Sequence, residues 1–389
     1  MDFSLSDEQQ FLIEAVGTFI KTELAPHEQE IEDTGILKPE IAAQIFAKSK
    51  ALGFYAMNIP EKFGGGGLSA VDTMLVEEQF GHTTDILIRR AFGNIYEALL
   101  ACEGDQIERW LLPTVQGERV CSIAITETGA GSDAGGIKTR AEKQSDGRWI
   151  LNGSKIFISD GTVSDFFIVS AVTDPEKKEI SLFLVDKGLK GFELGKDQPM
   201  MGLRGTSHLE MFFDNVSLEP ICLLGERGKG FRMAMEVLGR VRLAQVGARA
   251  VGKASHVLSL MTEYAKERQQ FGKPIGTFQL VQQMLADSAI EINAARLLVL
   301  HTAWLLDTGQ DQLARTWIAM VKVNAAEMLG RVVDRAVQVF GGMGFCKELA
   351  IERYYRDARI YRIFDGTSEI HRTVIARNLL KQGKKIYQF

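Results

Sequence analysis

The sequence predicts an α+β fold in three blocks: helical over residues 1–117, β over 118–228 and helical again over 229–389. Three observations support this. Apolar residues recur at helical spacing in the outer blocks. The middle block holds short β-branched and aromatic runs, broken by glycine, Asp-Pro and Asn-Gly. The longest periodic segments, near 231–268, 278–308, 311–340 and 367–383, contain no proline, and the only proline after Pro220 is Pro274, in a loop.

The first helix starts at a capping box, Ser6 with Gln9, followed by Phe11, Leu12, Ala15, Val16, Phe19 and Ile20 on one stripe. The four glycines at 64–67 read as a loop. Their backbone entropy is too costly inside an element, and no Lys-Ser/Thr follows to bind phosphate. Strands are expected at 121–126, 149–151, 155–159, 166–172, 180–185 and 209–213. Their spacing leaves no room for crossover helices, so the sheet should be a largely antiparallel barrel or sandwich.

Composition narrows the function. The chain has 389 residues, 46% hydrophobic and 24% charged, which is globular usage with length for two or three domains. Its net charge of −5 and lack of a dense basic block make nucleic acid a poor partner. No uninterrupted apolar run approaches the roughly 20 residues of a membrane helix, so no membrane insertion is expected. Cys102, Cys121, Cys222 and Cys346 stand far apart, which argues against a zinc site or a disulfide framework. The start Met1-Asp2-Phe3-Ser4 has no leader character, so a cytoplasmic protein is expected, or a mitochondrial matrix one if a leader has been removed.

Two glycine-bearing segments carry candidate chemistry. Thr126-Glu127-Thr128-Gly129-Ala130-Gly131-Ser132-Asp133 follows the first expected strand, where small residues let a ligand approach the main chain and the Thr126 and Ser132 hydroxyls add donors. Gln338-Val339-Phe340-Gly341-Gly342-Met343-Gly344-Phe345 closes a long helix, and its glycines suit a helix C-cap equally well.

Together with Glu267-Arg268-x-x-Phe271-Gly272-Lys273-Pro274-Ile275, Phe278-Gln279, Arg356-Asp357-Ala358 and Gly366-Thr367-Ser368-Glu369-Ile370, these segments make the chain resemble the acyl-CoA dehydrogenase family over nearly its whole length. The resemblance implies an N-terminal helical domain, a middle β domain, a C-terminal four-helix bundle and an FAD between the last two. It places the flavin against Ile123, Ile125, Thr126, Gly131 and Ser132, with Phe157, Ile158 and Ser159 beside the ring and Thr367 and Glu369 nearby. Arg268, Phe271, Gln279, Gln338, Val339, Phe340, Gly341 and Gly342 would reach the FAD of a neighbouring subunit, implying a homotetramer.

For an acyl-CoA substrate the resemblance points to Ser132, Val237, Gly239, Arg240 and Gly366, with Arg240 offsetting the mismatch between anionic coenzyme A and an acidic protein. Asp365 matches the family's catalytic glutamate, one methylene short, and a family alternative for the base matches Gly239, which has no carboxylate. Val237 stands where aspartate is frequent, Thr128 where proline is usual and Phe157 where tryptophan is common. The other reading of Asp365 is an N-cap for the helix near Ser368. Gly239 should open one wall of the acyl pocket, and Arg89-Arg90, near its floor, read as a solvated face in preference to a carboxylate receptor. The implied reaction is dehydrogenation of a short, branched or cyclic acyl-CoA to the trans-2-enoyl-CoA, with electrons passed to an electron-transferring flavoprotein. An enoyl-CoA reductase of the same fold and a flavin- or CoA-binding protein without turnover are the rivals.

Overall fold

A computed structural model describes residues 4–93 and 95–387. The start Met1 to Phe3, on which the leader reading mostly rests, lies outside the described residues. Among the described residues six α-helices, with shorter 3-10 and π turns between them, form the first block: α1 (Asp7–Phe19), α2 (Glu28–Thr34), α3 (Pro39–Ala51), α4 (Ala70–Phe80), α5 (Asp85–Phe92) and α6 (Leu112–Val115). The Ser6 capping box is formed in full, with the Ser6 side chain accepting from the Gln9 N–H and the Gln9 side chain accepting from the Ser6 N–H. The apolar stripe of α1 then packs Val16 and Phe19 against Phe80, Leu87 and Phe92 of α4 and α5.

The middle block contains β1 (Cys121–Ala124), β2 (Arg140–Lys143), β3 (Trp149–Ser159), β4 (Phe166–Asp174), β5 (Glu179–Asp186), β6 (Phe192–Asp197), β7 (His208–Leu218) and β8 (Leu223–Leu224). Its path runs β6-β7-β3-β2-β4-β5-β8, and β1 pairs with β4. The pairing is largely antiparallel, as expected, with two exceptions: β1 and β2 both run parallel to β4. The β2–β3 hairpin supplies the long connection that a parallel pair requires, in place of a crossover helix. The expected strands at 149–151 and 155–159 are one strand, carried through Gly153 by a register shift. The sequence reading missed β2 and β6 because both are short and charged, with few β-formers.

The C-terminal block holds α7 (Gly230–Val241), α8 (Arg249–Glu267), a small hairpin of β9 (Gln269–Gln270) and β10 (Lys273–Pro274), then α9 (Gln279–Asp307), α10 (Asp311–Phe340), α11 (Ile351–Arg359) and α12 (Ser368–Gln382). The helix expected over 231–268 is interrupted by a π-helical stretch, Arg242–Ala248, and α11 was not foreseen. Helix α9 is long and apolar enough, by length and composition, to cross a membrane, contrary to the count of uninterrupted runs, because Asp287, Glu291 and Arg296 break the run without lowering its average much. Here it packs on α8, α10 and α4. Gly81 and Gly252 let α4 and α8 touch, since a Cβ on Gly252 would lie 1.7 Å from the Glu78 carbonyl oxygen. That approach sets the acidic side of α4 against the basic side of α8.

Candidate active site

The turn after β1 is pinned from below. Lys155 is fully buried and donates to the Ile125 carbonyl at 2.9 Å, the Glu127 carboxylate at 2.8 Å and the Ser170 hydroxyl at 3.1 Å. Burial opposes ionisation of Glu127, yet Lys155 and the Lys138 and Thr139 N–H groups hold its carboxyl below the usual range. Glu127 is thus spent on scaffolding, and the small residues of the turn are left outward: Gly131 and Ser132 are exposed, and a Cβ on Gly131 would meet nothing within 4 Å. The Ile156 N–H donates to the Thr126 carbonyl at 3.0 Å, which brings β3 alongside. Next in the chain, Phe157 has φ +60 and is 51% exposed, while Ile158 is buried and the Ser159 carbonyl accepts from the Ser122 hydroxyl. A large aromatic held outward on strained backbone beside open turn glycines makes a cradle that fits a planar group.

Asp365 sits between α11 and α12. It has φ +55, and Gly366 follows at φ +90, so the chain takes two left-handed residues in succession. A Cβ on Gly366 would stand 3.0 Å from His371 Nε2, which explains glycine there. The turn is held by its carbonyl: Arg242 Nε donates to the Asp365 oxygen at 2.6 Å, and His371 Nε2 lies 3.1 Å from the same atom. Among the described residues the Asp365 N–H has no acceptor, so it is free for an external one. The cap reading of Asp365 is corrected, because Thr367 is the N-cap of α12, accepting from the Ile370 N–H at 3.2 Å, with Glu369 in the first turn. Burial raises the Asp365 carboxyl above its ordinary value, against the opposing pull of Arg242, Lys322 and Arg89.

A cavity of about 120 Å³ opens between α4, the segment around Tyr96 and the α7–π junction, lined among others by Met74, Glu77, Tyr96, Glu97, Val241 and Arg249. Val237 and Arg240 line it as well, and Arg240 pairs with Glu97 at 3.1 Å. Gly239 does not. A Cβ on Gly239 would face Ile318 of α10 at 3.7 Å, so it opens no wall of this cavity, because one residue along a helix turns the chain by about 100°. Neither Asp365 nor Arg242 lines this cavity, although Arg242 follows Val241, which does.

Arg89 and Arg90 are corrected too. They are not a solvated face; with side chains 10% and 16% exposed, they pair with Asp160 at 3.3 and 2.8 Å, and Arg89 also pairs with Asp85. Arg249 joins Asp85 at 3.1 Å and Glu77, so one ionic network ties α5, the β3 end and α8 together. The reading missed it because ion pairs between α5 and residue 160 carry no local signal.

Arg268, Phe271, Gln279, Gln338, Gly341 and Gly342 are all exposed, Phe271 at 92%, whereas Val339 and Phe340 are buried under them. Gly341 is the C-cap of α10 at φ +61. These residues lie away from the turn at 123–132 in sequence and share no contact with it among the bonds of the described residues.

Matches to known families follow the three blocks. The N-terminal, middle and C-terminal domains of acyl-CoA dehydrogenase match residues 6–118, 122–216 and 228–380. The chain belongs to the acyl-CoA dehydrogenase family. It is an oxidoreductase of that family, with its helical, β and helical domains. It is 37% identical to an acryloyl-CoA reductase (NADH) from Anaerotignum propionicum, a match covering 98% of this chain and 97% of that protein. Butyryl-CoA dehydrogenase from Megasphaera elsdenii superposes with a TM-score of 0.89 at 35% identity, covering 98% of this chain and 100% of that one. An acyl-CoA dehydrogenase complexed with FAD, from Bacillus anthracis, superposes with a TM-score of 0.90 at 30% identity, over 98% and 68% of the two chains. Both oxidising and reducing relatives are therefore within reach of this sequence.

Proposed function

We propose that the protein is a FAD-dependent acyl-CoA dehydrogenase that converts a short, branched or cyclic acyl-CoA to its trans-2-enoyl-CoA. The observation that carries this reading is Asp365: a carboxylate of raised pKa on a strained turn, whose own N–H is free. FAD suits the cradle of Ile123, Ile125, Thr126, Gly131, Ser132, Phe157 and Ser159, where an outward aromatic and open glycine backbone await a flat, hydrogen-bonding group. When bound, FAD supplies the acceptor for the hydride that leaves the substrate's β-carbon. Asp365 takes the α-proton on its carboxylate as the α,β double bond forms, and burial makes it a stronger base than a solvated aspartate. Its N–H donates to the thioester oxygen, where negative charge builds as the α-proton departs. Arg242, by gripping the Asp365 carbonyl, keeps proton acceptor and N–H donor on one rigid turn.

The cavity of about 120 Å³ is not lined by Asp365, so its volume sets no limit on the acyl group. Arg240 at its rim is placed for the anionic coenzyme A. A homotetramer fits the exposed set from Arg268 to Gly342 and the exposed apolar Leu280, Ile290, Leu297 and Phe345. Electron-transferring flavoprotein is the proposed acceptor.

Anaerobic mixing of the FAD-loaded protein with a panel of acyl-CoA thioesters tests the reading, because a dehydrogenase bleaches its flavin and a mere binder does not. The acryloyl-CoA reductase relative favours a second direction for the same site. In that case acyl-CoA leaves the flavin yellow, and an enoyl-CoA reoxidises flavin that was first reduced chemically.

A further inference from the structure

The lysine beneath the turn at 123–132 is more than the packing of its strand requires. Along β3 the other inward positions hold Trp149, Leu151 and Ile158, and opposite Lys155 in the ladder stands Met211, fully buried. An apolar side chain would fill that place without desolvating an ammonium, which costs several kcal/mol per ion. A neutral hydroxyl or amide would satisfy the Ile125 carbonyl. Lys155 instead brings a positive charge into hydrogen-bond contact with one particular peptide. Its Nζ stands 2.9 Å from the Ile125 carbonyl oxygen, and that carbonyl belongs to the peptide unit whose N–H is that of Thr126. Among the described residues neither the Thr126 N–H nor its hydroxyl has a partner, and Thr126 is half-buried. The charge therefore grips one end of an amide whose other end no protein group accepts.

We infer that Lys155 tunes the cofactor: its ammonium polarises the Ile125–Thr126 peptide and strengthens the Thr126 N–H as a donor to the flavin, so that reduced FAD is held more tightly than oxidised FAD. Lys155 is a positioning residue, since it acts through that peptide and touches no atom of cofactor or substrate. The inference rests on the placement of FAD against the turn at 123–132. Hydrogen bonds in series polarise one another, and a charged donor at the head of the series is stronger than a neutral one. Two-electron reduction adds electron density to the flavin ring, so a stronger donor favours the reduced form. The neighbouring groups leave the charge directed at this peptide. Glu127 accepts from Nζ at 2.8 Å, but its carboxylate is shared with the Lys138 and Thr139 N–H groups at 2.7 and 3.0 Å. The third partner, the Ser170 hydroxyl at 3.1 Å, is neutral. The Ile156 N–H holds the Thr126 carbonyl at 3.0 Å, which fixes the next peptide and with it the direction of the Thr126 N–H. Burial pulls Lys155 down to about 8 and Glu127 opposes that fall, so the ammonium form prevails at neutral pH.

The test compares wild type, Lys155→Met, the double variant Glu127→Gln with Lys155→Met, Ser170→Ala and Gly131→Val. Two quantities are read without substrate: the two-electron midpoint potential of bound FAD, by anaerobic titration against a redox dye at pH 7, and the dissociation constant of oxidised FAD. Lys155→Met should weaken reduced FAD relative to oxidised FAD by about tenfold, a fall of ~30 mV in the midpoint. Ser170→Ala loosens the same staple without changing its charge and should keep the wild-type midpoint. A wild-type midpoint in Lys155→Met, or an equal fall in Ser170→Ala, overturns the inference and leaves Lys155 a structural staple. If Lys155→Met takes up no FAD, the double variant decides by the same fall, since it leaves no unpaired carboxylate in the core. Should the double variant also take up none, the lysine serves only the shape of the turn and the inference is overturned. Failure of the underlying placement looks different: the wild type takes up no FAD, or Gly131→Val, which puts a branched side chain on the open turn, binds FAD as tightly as the wild type.

Discussion

Asp365 and Gly366 occupy left-handed backbone, and Arg242 and His371 hold the Asp365 carbonyl in that turn. Asp365→Asn preserves shape and N–H but accepts no proton. Flavin reduction by substrate should fall by about 100-fold or more, with FAD content and thioester binding retained, as read by stopped-flow bleaching and difference spectra. Asp365→Glu probes the missing methylene. If the cleft has closed around the shorter side chain, glutamate overpacks it, and the rate ratio on an acyl panel should shift toward slim straight chains.

At the scale of elements, the α4–α8 crossing carries Glu77 of α4 to Arg249, which Asp85 of α5 also meets. Gly252→Ala inserts a methyl where the Glu78 carbonyl stands, so the helices must separate. A loss of about 1–3 kcal/mol is expected by urea unfolding, together with weakened thioester binding. Beside this crossing His82 and His256 lie with ring centroids 5.3 Å apart, and burial lowers both to about 4. Both imidazoles are neutral in the fold, so the unfolded chain takes up protons first as pH drops. Their contribution is complete above about 6.5 and is lost between about 6.5 and about 4, up to ~3 kcal/mol for each. His256→Phe keeps the edge-on contact with Tyr354 and removes one titrating ring, so its stability should depend less steeply on pH over that window.

For the whole molecule, the exposed residues around Arg268, Gln279 and Gln338 to Gly342 predict that cofactor retention depends on assembly. Arg268→Ala should lower the visible flavin absorbance per chain more than it lowers the melting temperature. A monomer by light scattering that retains full FAD would contradict the shared site. The exposed apolar side chains of α9 belong to the same question, since a helix with Leu280, Ile290, Leu297 and Trp304 open to water needs a covering surface.

The order of helical, β and helical blocks was legible because hydrophobic period and turn residues are local properties, as the Ser6 capping box and the 166–172 strand illustrate. Asp365 was legible too, through a motif contiguous in sequence. What surrounds it was not. Arg242 and His371 meet Asp365 from two separate elements, and neither left a trace in the sequence. The sense of Gly239 and the burial of Arg89 and Arg90 likewise came from packing, because the direction in which a side chain points depends on which helix it meets. Local chemistry specified the elements and pointed to Asp365 as the proposed base; long-range packing chose the charges around it, since electrostatic partners answer to distance in space and not along the chain.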